Sequence, residues 1–135
     1  MVVKIYCDTN IYLDFLLDRK NLFGSNLGDK AFSVFYKVLS CKFILVVSSW
    51  NLIELKNKIE HNSLNMLFSF LKKKVVTIQH TKEDIEKAKE MSEHFQDALH
   101  VILAVKAGAK FLITRNVKDF LPFRNFIEIK LPKYL

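Results

Sequence analysis

The chain has 135 residues with a formal net charge of +7, and half of them are hydrophobic. This composition is too apolar for a disordered protein, and three glycines and two prolines are too few for a fibrous one. The length predicts a single domain over residues 1–135. The basic excess points weakly to a polyanionic partner, because net charge affects association rather than fold.

The sequence shows no targeting or membrane pattern. The N-terminus lacks the apolar region and cleavage site of a signal peptide. The longest uncharged apolar stretch, residues 43–53, is too short to span a bilayer. Cys7 and Cys41 are isolated in apolar runs and are expected to be buried, reduced thiols. We therefore expect a cytoplasmic protein that does not bind membranes.

Strand and helix patterns alternate from the N-terminus onward. Residues 2–7 are rich in β-branched and aromatic residues and predict a buried strand. A helix over residues 10–17 is expected directly after it. Residues 18–29 hold two of the three glycines and predict a loop. Residues 30–40 place apolar side chains at helical spacing and predict an amphipathic helix.

The same alternation continues through the middle of the chain. Residues 43–47 (FILVV) predict a second buried strand. A helix from about residue 49 to residue 60 follows, with a serine as its N-cap. Another helix over residues 64–71 ends at three lysines, because basic side chains suit the negative end of a helix dipole.

The last part of the chain repeats the pattern. Residues 75–79 predict a third strand, after which Thr81 and Asp84 resemble a capping box that opens a charged helix. A further helix over residues 94–106 is ended by Gly108. Two more strands complete the prediction, at residues 111–114 and 126–129.

Strands separated by helices imply parallel pairing with right-handed crossovers. We therefore expect an α/β fold, a three-layer α/β/α sandwich with a central, mostly parallel sheet of four to five strands. The runs 2–7, 43–47 and 75–79 are continuously apolar, which predicts that these strands are covered on both faces.

Acidic residues are expected to meet at one edge of this sheet. Asp8 directly follows the first strand, and Asp119 follows the fourth. Glu54 lies in the second turn of the helix after the second strand, and Asp97 in the first turn of the helix that leads into the fourth. Strand carboxyl ends and helix N-termini share this edge in a parallel sheet.

Neighbouring carboxylates repel one another unless a cation neutralises them. Oxygen ligands suit Mg²⁺ or Mn²⁺, and such an ion can activate water for attack on a phosphodiester. Each acid also has an ordinary interpretation: Asp8 as a turn or N-cap residue, Glu54 as a solvated residue, Asp97 as a partner of the helix dipole and Asp119 as the cap of a short turn. Their joint placement favours a metal site.

Three segments resemble motifs of the PIN domain family, small metal-dependent ribonucleases that include the VapC-type toxins of prokaryotic toxin–antitoxin pairs. KIYCDTNIYLD resembles the family's first strand with its Asp-Thr-Asn signature, and SSWNLIEL resembles its second acidic motif. FQDALHVILAVKAGAKFLITRNVKDF resembles the third and fourth motifs. The resemblance implies a PIN-like fold and a metal-dependent endoribonuclease, the toxin component of such a pair.

The resemblance also implies a role for each motif residue. Asp8, Glu54 and Asp97 would hold Mg²⁺ or Mn²⁺, which activates water for attack on RNA. Either Asp119 or Asn116 would supply the fourth position of the site. The other candidates are Thr9, Asn10 and Thr114 as supporting residues, with Asn116, and Arg115 and Lys118 as contacts to RNA phosphates.

Two side chains near these motifs are expected to have ordinary roles. His100 lies three residues after Asp97 and is expected to be an oriented core histidine, with a metal or base role as the alternative. Asp14 is expected to be solvated.

Other functions and partners stay open at this stage. A non-catalytic PIN-like module that binds RNA or assembles with protein is the main alternative to a nuclease. A phosphatase on a related scaffold is disfavoured, because the sequence has neither a DxD start nor a P-loop. The resemblance further implies a cognate antitoxin and a homodimer. The apolar helices near residues 27–39 and 64–71 could supply the dimer face.

Overall fold

The computed structural model describes residues 2–19, 24 and 26–135. One sheet contains five strands: β1 (Val3–Cys7), β2 (Phe43–Ser48), β3 (Val75–Ile78), β4 (Phe111–Ile113) and β5 (Glu128–Lys130). All neighbouring strands are parallel, and their order is β3-β2-β1-β4-β5. The predicted α/β class is therefore confirmed, and the sheet is fully parallel.

Helices connect the strands. The described residues form α1 (Thr9–Leu16), α2 (Leu27–Leu39), α3 (Ser49–Lys56), α4 (His61–Leu71), α5 (Lys82–Met91), α6 (Phe95–Lys106) and α7 (Val117–Phe120). None of these helices combines the length and the apolar character that a membrane crossing requires.

The helices lie on both faces of the sheet. Side chains alternate along a strand, so Ile5 and Cys7 point to one face and Tyr6 to the other. Ile5 and Cys7 belong to a core cluster with residues of α1, α2 and α4. Tyr6 belongs to a second cluster with residues of α5, α6 and α7. This arrangement is the expected three-layer sandwich, with β1 at its centre.

The third strand differs from its prediction. β3 is the edge strand beside β2, and its Val76 is 36% exposed and its Thr77 is also exposed. The expectation that this strand is covered on both faces is wrong. A continuous apolar run is also compatible with an edge position, because apolar content does not reveal how many neighbours a strand has.

The predicted loop over residues 18–29 is wrong at its end, because α2 already begins at Leu27. Asn26 caps this helix, and its Oδ1 accepts a hydrogen bond from the amide of Asp29 at 3.0 Å. Part of the predicted loop, residues 20–23 and 25, lies outside the described residues. The predicted helix over residues 49–60 ends earlier, at Lys56.

The cysteines and caps have mixed outcomes. Cys7 is buried as expected, but Cys41 is exposed in the turn between α2 and β2, so its predicted burial is wrong. The predicted capping box of Thr81 and Asp84 is present at the start of α5. Gly108 has a φ of 79° directly after α6, which confirms its role in ending that helix.

Candidate active site

Asp8 lies at the carboxyl end of the central strand. Its backbone N–H donates to the carbonyl of Ile113 at 2.9 Å, which ties the first residue after β1 to β4. The side chain is only 6% exposed, and its Oδ2 accepts a hydrogen bond from Thr114 Oγ1 at 3.0 Å. Thr114 Oγ1 accepts a further bond from the amide of Asn116. Thr114 therefore orients the Asp8 carboxylate.

Glu54 reaches the same edge on α3. This helix starts directly after β2, with a capping box between Ser48 and Asn51. Glu54 Oε1 accepts hydrogen bonds from Thr9 Oγ1 at 2.7 Å and from His100 Nε2 at 2.8 Å. Burial raises the pKa of Glu54, but the hydrogen bond and charge of His100 outweigh it and hold the pKa below its usual range.

Asp97 lies in the first turn of α6 and is partly buried. Burial and the neighbouring charges of Asp8 and Asp119 raise its pKa. Among the described residues, no side chain or amide donates a hydrogen bond to its carboxylate. Asp97 therefore combines desolvation with repulsion from two other acids, a combination that a bound cation would relieve.

One cavity of about 230 Å³ contains the core of this arrangement. Its lining includes Asp8, Thr9, Asn10, Glu54 and Asp97. The structure thus brings three of the four acidic candidates together at the predicted edge.

Five candidates lie outside the lining of this cavity: Thr114, which holds Asp8, and four residues that follow it in the chain. Asp119 is exposed on α7, close enough to Asp97 to raise its pKa. Asn116 precedes α7 and is partly buried, whereas Lys118 is exposed on that helix. Arg115 is turned toward Asp14.

The donor set fits a hard divalent cation. Asp8, Glu54 and Asp97 offer only carboxylate oxygens, which such ions prefer. The carboxylate of Asp97, which is partly buried and repelled by Asp8, is the observation that supports this fit. Across the described residues, no group of three or more His, Cys, Asp or Glu side chains is arranged to hold a metal ion as it stands.

A buried polar chain lies behind Glu54. Tyr6 Oη is 2.6 Å from His100 Nδ1 and 2.7 Å from Ser48 Oγ. Because His100 Nε2 faces the Glu54 carboxylate, that nitrogen donates, and Nδ1 is the ring atom that pairs with the Tyr6 hydroxyl. The expected core position of His100 is confirmed, since it is 2% exposed.

Sequence reasoning missed Tyr6, Ser48 and Asn51 as supports of the site. Asn51 Nδ2 donates to Thr9 Oγ1 at 3.0 Å, and Thr9 in turn donates to Glu54. All three residues are polar positions inside apolar segments, and all are fully buried. Because buried polar groups need partners, such positions are a usable signal for a polar network.

Asp14 corrects another expectation. It was expected to be solvated, yet it is 2% exposed in α1. Its Oδ2 accepts a hydrogen bond from Arg115 Nε at 2.7 Å, and Arg19 Nη1 lies 3.6 Å from its Oδ1. Arg115 comes from a distant chain position, so the helical pattern around Asp14 could not reveal this partner.

A comparison with family models identifies the family of this chain. A family model described as PIN domain matches residues 4–118, which is most of the chain. This chain belongs to the PIN domain family. A comparison with curated proteins finds no significant match. PIN domains are generally nucleases and generally use divalent metals. The matched range of this PIN domain includes Asp8, Glu54 and Asp97 and ends one residue before Asp119.

Proposed function

We propose that this PIN domain is a metal-dependent endoribonuclease that hydrolyses RNA phosphodiester bonds. The observation that carries the proposal is the shared cavity of Asp8, Glu54 and Asp97, in which the charge of Asp8 helps to raise the pKa of Asp97. Mg²⁺ or Mn²⁺ bound there would supply Lewis acidity and an activated water.

The chain's own residues prepare this site in different ways. Thr114 holds one oxygen of Asp8, and Thr9 and His100 hold one oxygen of Glu54. These hydrogen bonds fix the orientation of each carboxylate, and so they also fix the direction in which its second oxygen points. Asp97 has no such partner among the described residues, so its charge is the one most in need of a cation. Asp119 and Asn116 remain candidates for an outer position.

We further propose that the protein is the toxin component of a toxin–antitoxin pair. This proposal rests on the resemblance of its motifs to VapC-type toxins. A surface for a protein partner supports it: α2 and α4 expose large apolar side chains, including Phe32, Tyr36 and Met66, and Phe70 is 71% exposed. A cognate antitoxin and a second copy of the chain are both proposed partners.

RNA cleavage tests the enzymatic proposal. The purified chain should cut single-stranded or structured RNA with Mg²⁺ or Mn²⁺, and a chelator should abolish cutting. Asp8→Asn should lower the cleavage rate by about 100-fold or more, because it removes a charge that acts directly on the metal. Asp29→Asn, an exposed acid at the start of α2, should leave the rate unchanged.

Two results would contradict this proposal. Cleavage that persists unchanged in Asp8→Asn would mean that the activity comes from elsewhere. Absence of both RNA cleavage and Mn²⁺ binding would favour the non-catalytic RNA-binding or assembly module.

For the toxin role, expression should arrest growth, and co-expression of the neighbouring small reading frame should restore it.

A further inference from the structure

A second cavity lies beside the candidate active site and carries the opposite charge. It has a volume of about 310 Å³. Three basic side chains and one acid line it over apolar walls: Lys30, Arg115, Lys133 and Asp14. We call this cavity the basic cleft. Its charge suits an anion, whereas the neighbouring cavity, lined by three carboxylates and one lysine (Lys58), carries a net negative charge that repels one. We call that neighbouring cavity the acidic cavity.

A fixed guanidinium forms part of the basic cleft. Arg115 Nε donates to the buried Asp14 carboxylate at 2.7 Å, and the Arg115 side chain stays 31% exposed. Within the described part of the chain, no other hydrogen bond engages its guanidinium. The buried Asp14 carboxylate thus holds the planar guanidinium, whose remaining N–H groups stay available to a phosphate. Arginine binds phosphate through bidentate hydrogen bonds.

Residues at the basic cleft are linked to residues of the candidate active site by sequence neighbours and by one hydrogen bond. Arg115 directly follows Thr114, whose hydroxyl holds Asp8. Arg19 Nη1 donates to Asn10 Oδ1 at 3.3 Å and also lies near Asp14, and Asn10 lines the acidic cavity. A strand of RNA lying on this edge of the sheet would therefore meet both cavities.

We propose that the basic cleft binds a backbone phosphate of the RNA strand next to the scissile phosphate. This inference rests on the proposed function, since it assumes an RNA substrate. Lys30, Lys133 and Arg115 hold the flanking phosphate, and their attraction offsets the repulsion that the acidic cavity exerts on the strand. The contacts are to the backbone, so they position the RNA without reading its sequence.

Binding of a labelled single-stranded RNA in a chelator tests the proposal without requiring cleavage. The test variant is Lys30→Gln with Lys133→Gln, both exposed side chains of the basic cleft. The control is Lys42→Gln with Lys73→Gln, which removes the same charge from the amino ends of β2 and β3. Loss of two phosphate contacts should lower the slope of log K against log salt by about 1.4 in the test variant.

The control variant should change the slope by much less. Equal changes of the slope in the two variants would overturn the proposal, because the net positive charge of the whole chain would then explain RNA binding. Inorganic phosphate that competes as well as RNA on a molar basis would also overturn it, since the basic cleft would be a small-anion site. A wild-type chain that binds RNA through the basic cleft but never cuts it would refute the proposed function alone.

Discussion

Two buried tyrosines of neighbouring elements have opposite hydrogen-bonding states. Tyr6 joins Ser48 to His100, and through His100 it reaches the Glu54 carboxylate. The hydroxyl of Tyr12, in contrast, has no hydrogen-bond partner among the described residues. Both side chains are fully buried. Comparing the two residues therefore distinguishes the effect of a tyrosine's hydrogen bonds from the effect of its ring packing.

Tyr6→Phe should weaken both the fold and the metal site. It leaves His100 Nδ1 without its partner, which should cost about 1–3 kcal/mol in the free energy of unfolding. The loosened His100 then holds Glu54 less firmly, and loss of such a support typically lowers metal affinity by about 10- to 100-fold. Urea denaturation and a Mn²⁺ titration measure the two effects.

Tyr12→Phe is the matched control, because it removes a hydroxyl that makes no hydrogen bond to any described residue. We expect its stability and its Mn²⁺ affinity to equal or exceed those of the wild-type chain. If Tyr6→Phe lost stability but kept full Mn²⁺ affinity, the polar chain behind Glu54 would be structural and would not position the ligand.

Among the helices, α2 and α6 both carry an aspartate in the first turn, but in different surroundings. Asp29 is exposed at the start of α2, where a negative charge favours the helix dipole. Asp97 occupies the same place in α6, yet burial and the charges of Asp8 and Asp119 raise its pKa. Both aspartates interact with a helix dipole. A difference between the stability effects of removing the two charges therefore measures the cost of bringing the acids of the acidic cavity together.

Asp97→Asn should therefore stabilise the metal-free protein at neutral pH while it impairs metal binding. The folded-state pKa of Asp97 lies above its unfolded value, so its ionised form opposes folding at neutral pH. This penalty fades as the pH falls through the raised pKa, and it is gone below about pH 4, where the unfolded residue is also protonated. The stability gain of Asp97→Asn should fade over the same range.

Thermal unfolding in a chelator, measured from neutral to acidic pH, checks this expectation. Asp29→Asn should be neutral or slightly destabilising at neutral pH, by about 0.3–1 kcal/mol. An Asp97→Asn variant that is no more stable than Asp29→Asn at neutral pH would show that the carboxylates of the cavity do not repel one another appreciably.

Local patterns predicted the elements well, because strand and helix periodicity and capping chemistry are written in neighbouring residues. The capping box of Thr81 and the end of α6 at Gly108 are examples. The edge position of β3 could not be predicted, since it depends on which strands pair. The burial of Asp14 is also non-local, because its partner Arg115 lies 101 positions away.

The positions of the acidic residues in the candidate site could be predicted from the sequence, but their hydrogen-bond partners could not. The parallel topology alone implied that Asp8, Glu54 and Asp97 would share an edge, and they line one cavity. The supports of those carboxylates were not predictable from spacing, since Tyr6 and His100 come from different elements on one face of the sheet. Helix and strand patterns locate acids, whereas their partners depend on tertiary packing.

At the scale of the whole molecule, the net charge of +7 hides an uneven distribution. The acidic cavity and the basic cleft lie side by side at the carboxyl edge of the sheet, while the charged residues outside both cavities carry a net positive charge. A polyanion is therefore attracted by the basic cleft and by the excess of Lys and Arg in the rest of the chain. Productive approach of a phosphate to the acidic cavity depends on the cation that neutralises it.

Binding and cleavage of RNA should accordingly respond differently to metal and salt. In a chelator the wild-type chain should still bind single-stranded RNA, with an affinity that falls steeply between about 50 and about 200 mM salt as counterion release loses its advantage. Cleavage should be absent under those conditions and should appear when Mn²⁺ is added. Filter binding and gel analysis of the same samples measure both properties. RNA binding that vanished with the metal would mean that the cation, and not the basic surface, recruits the strand.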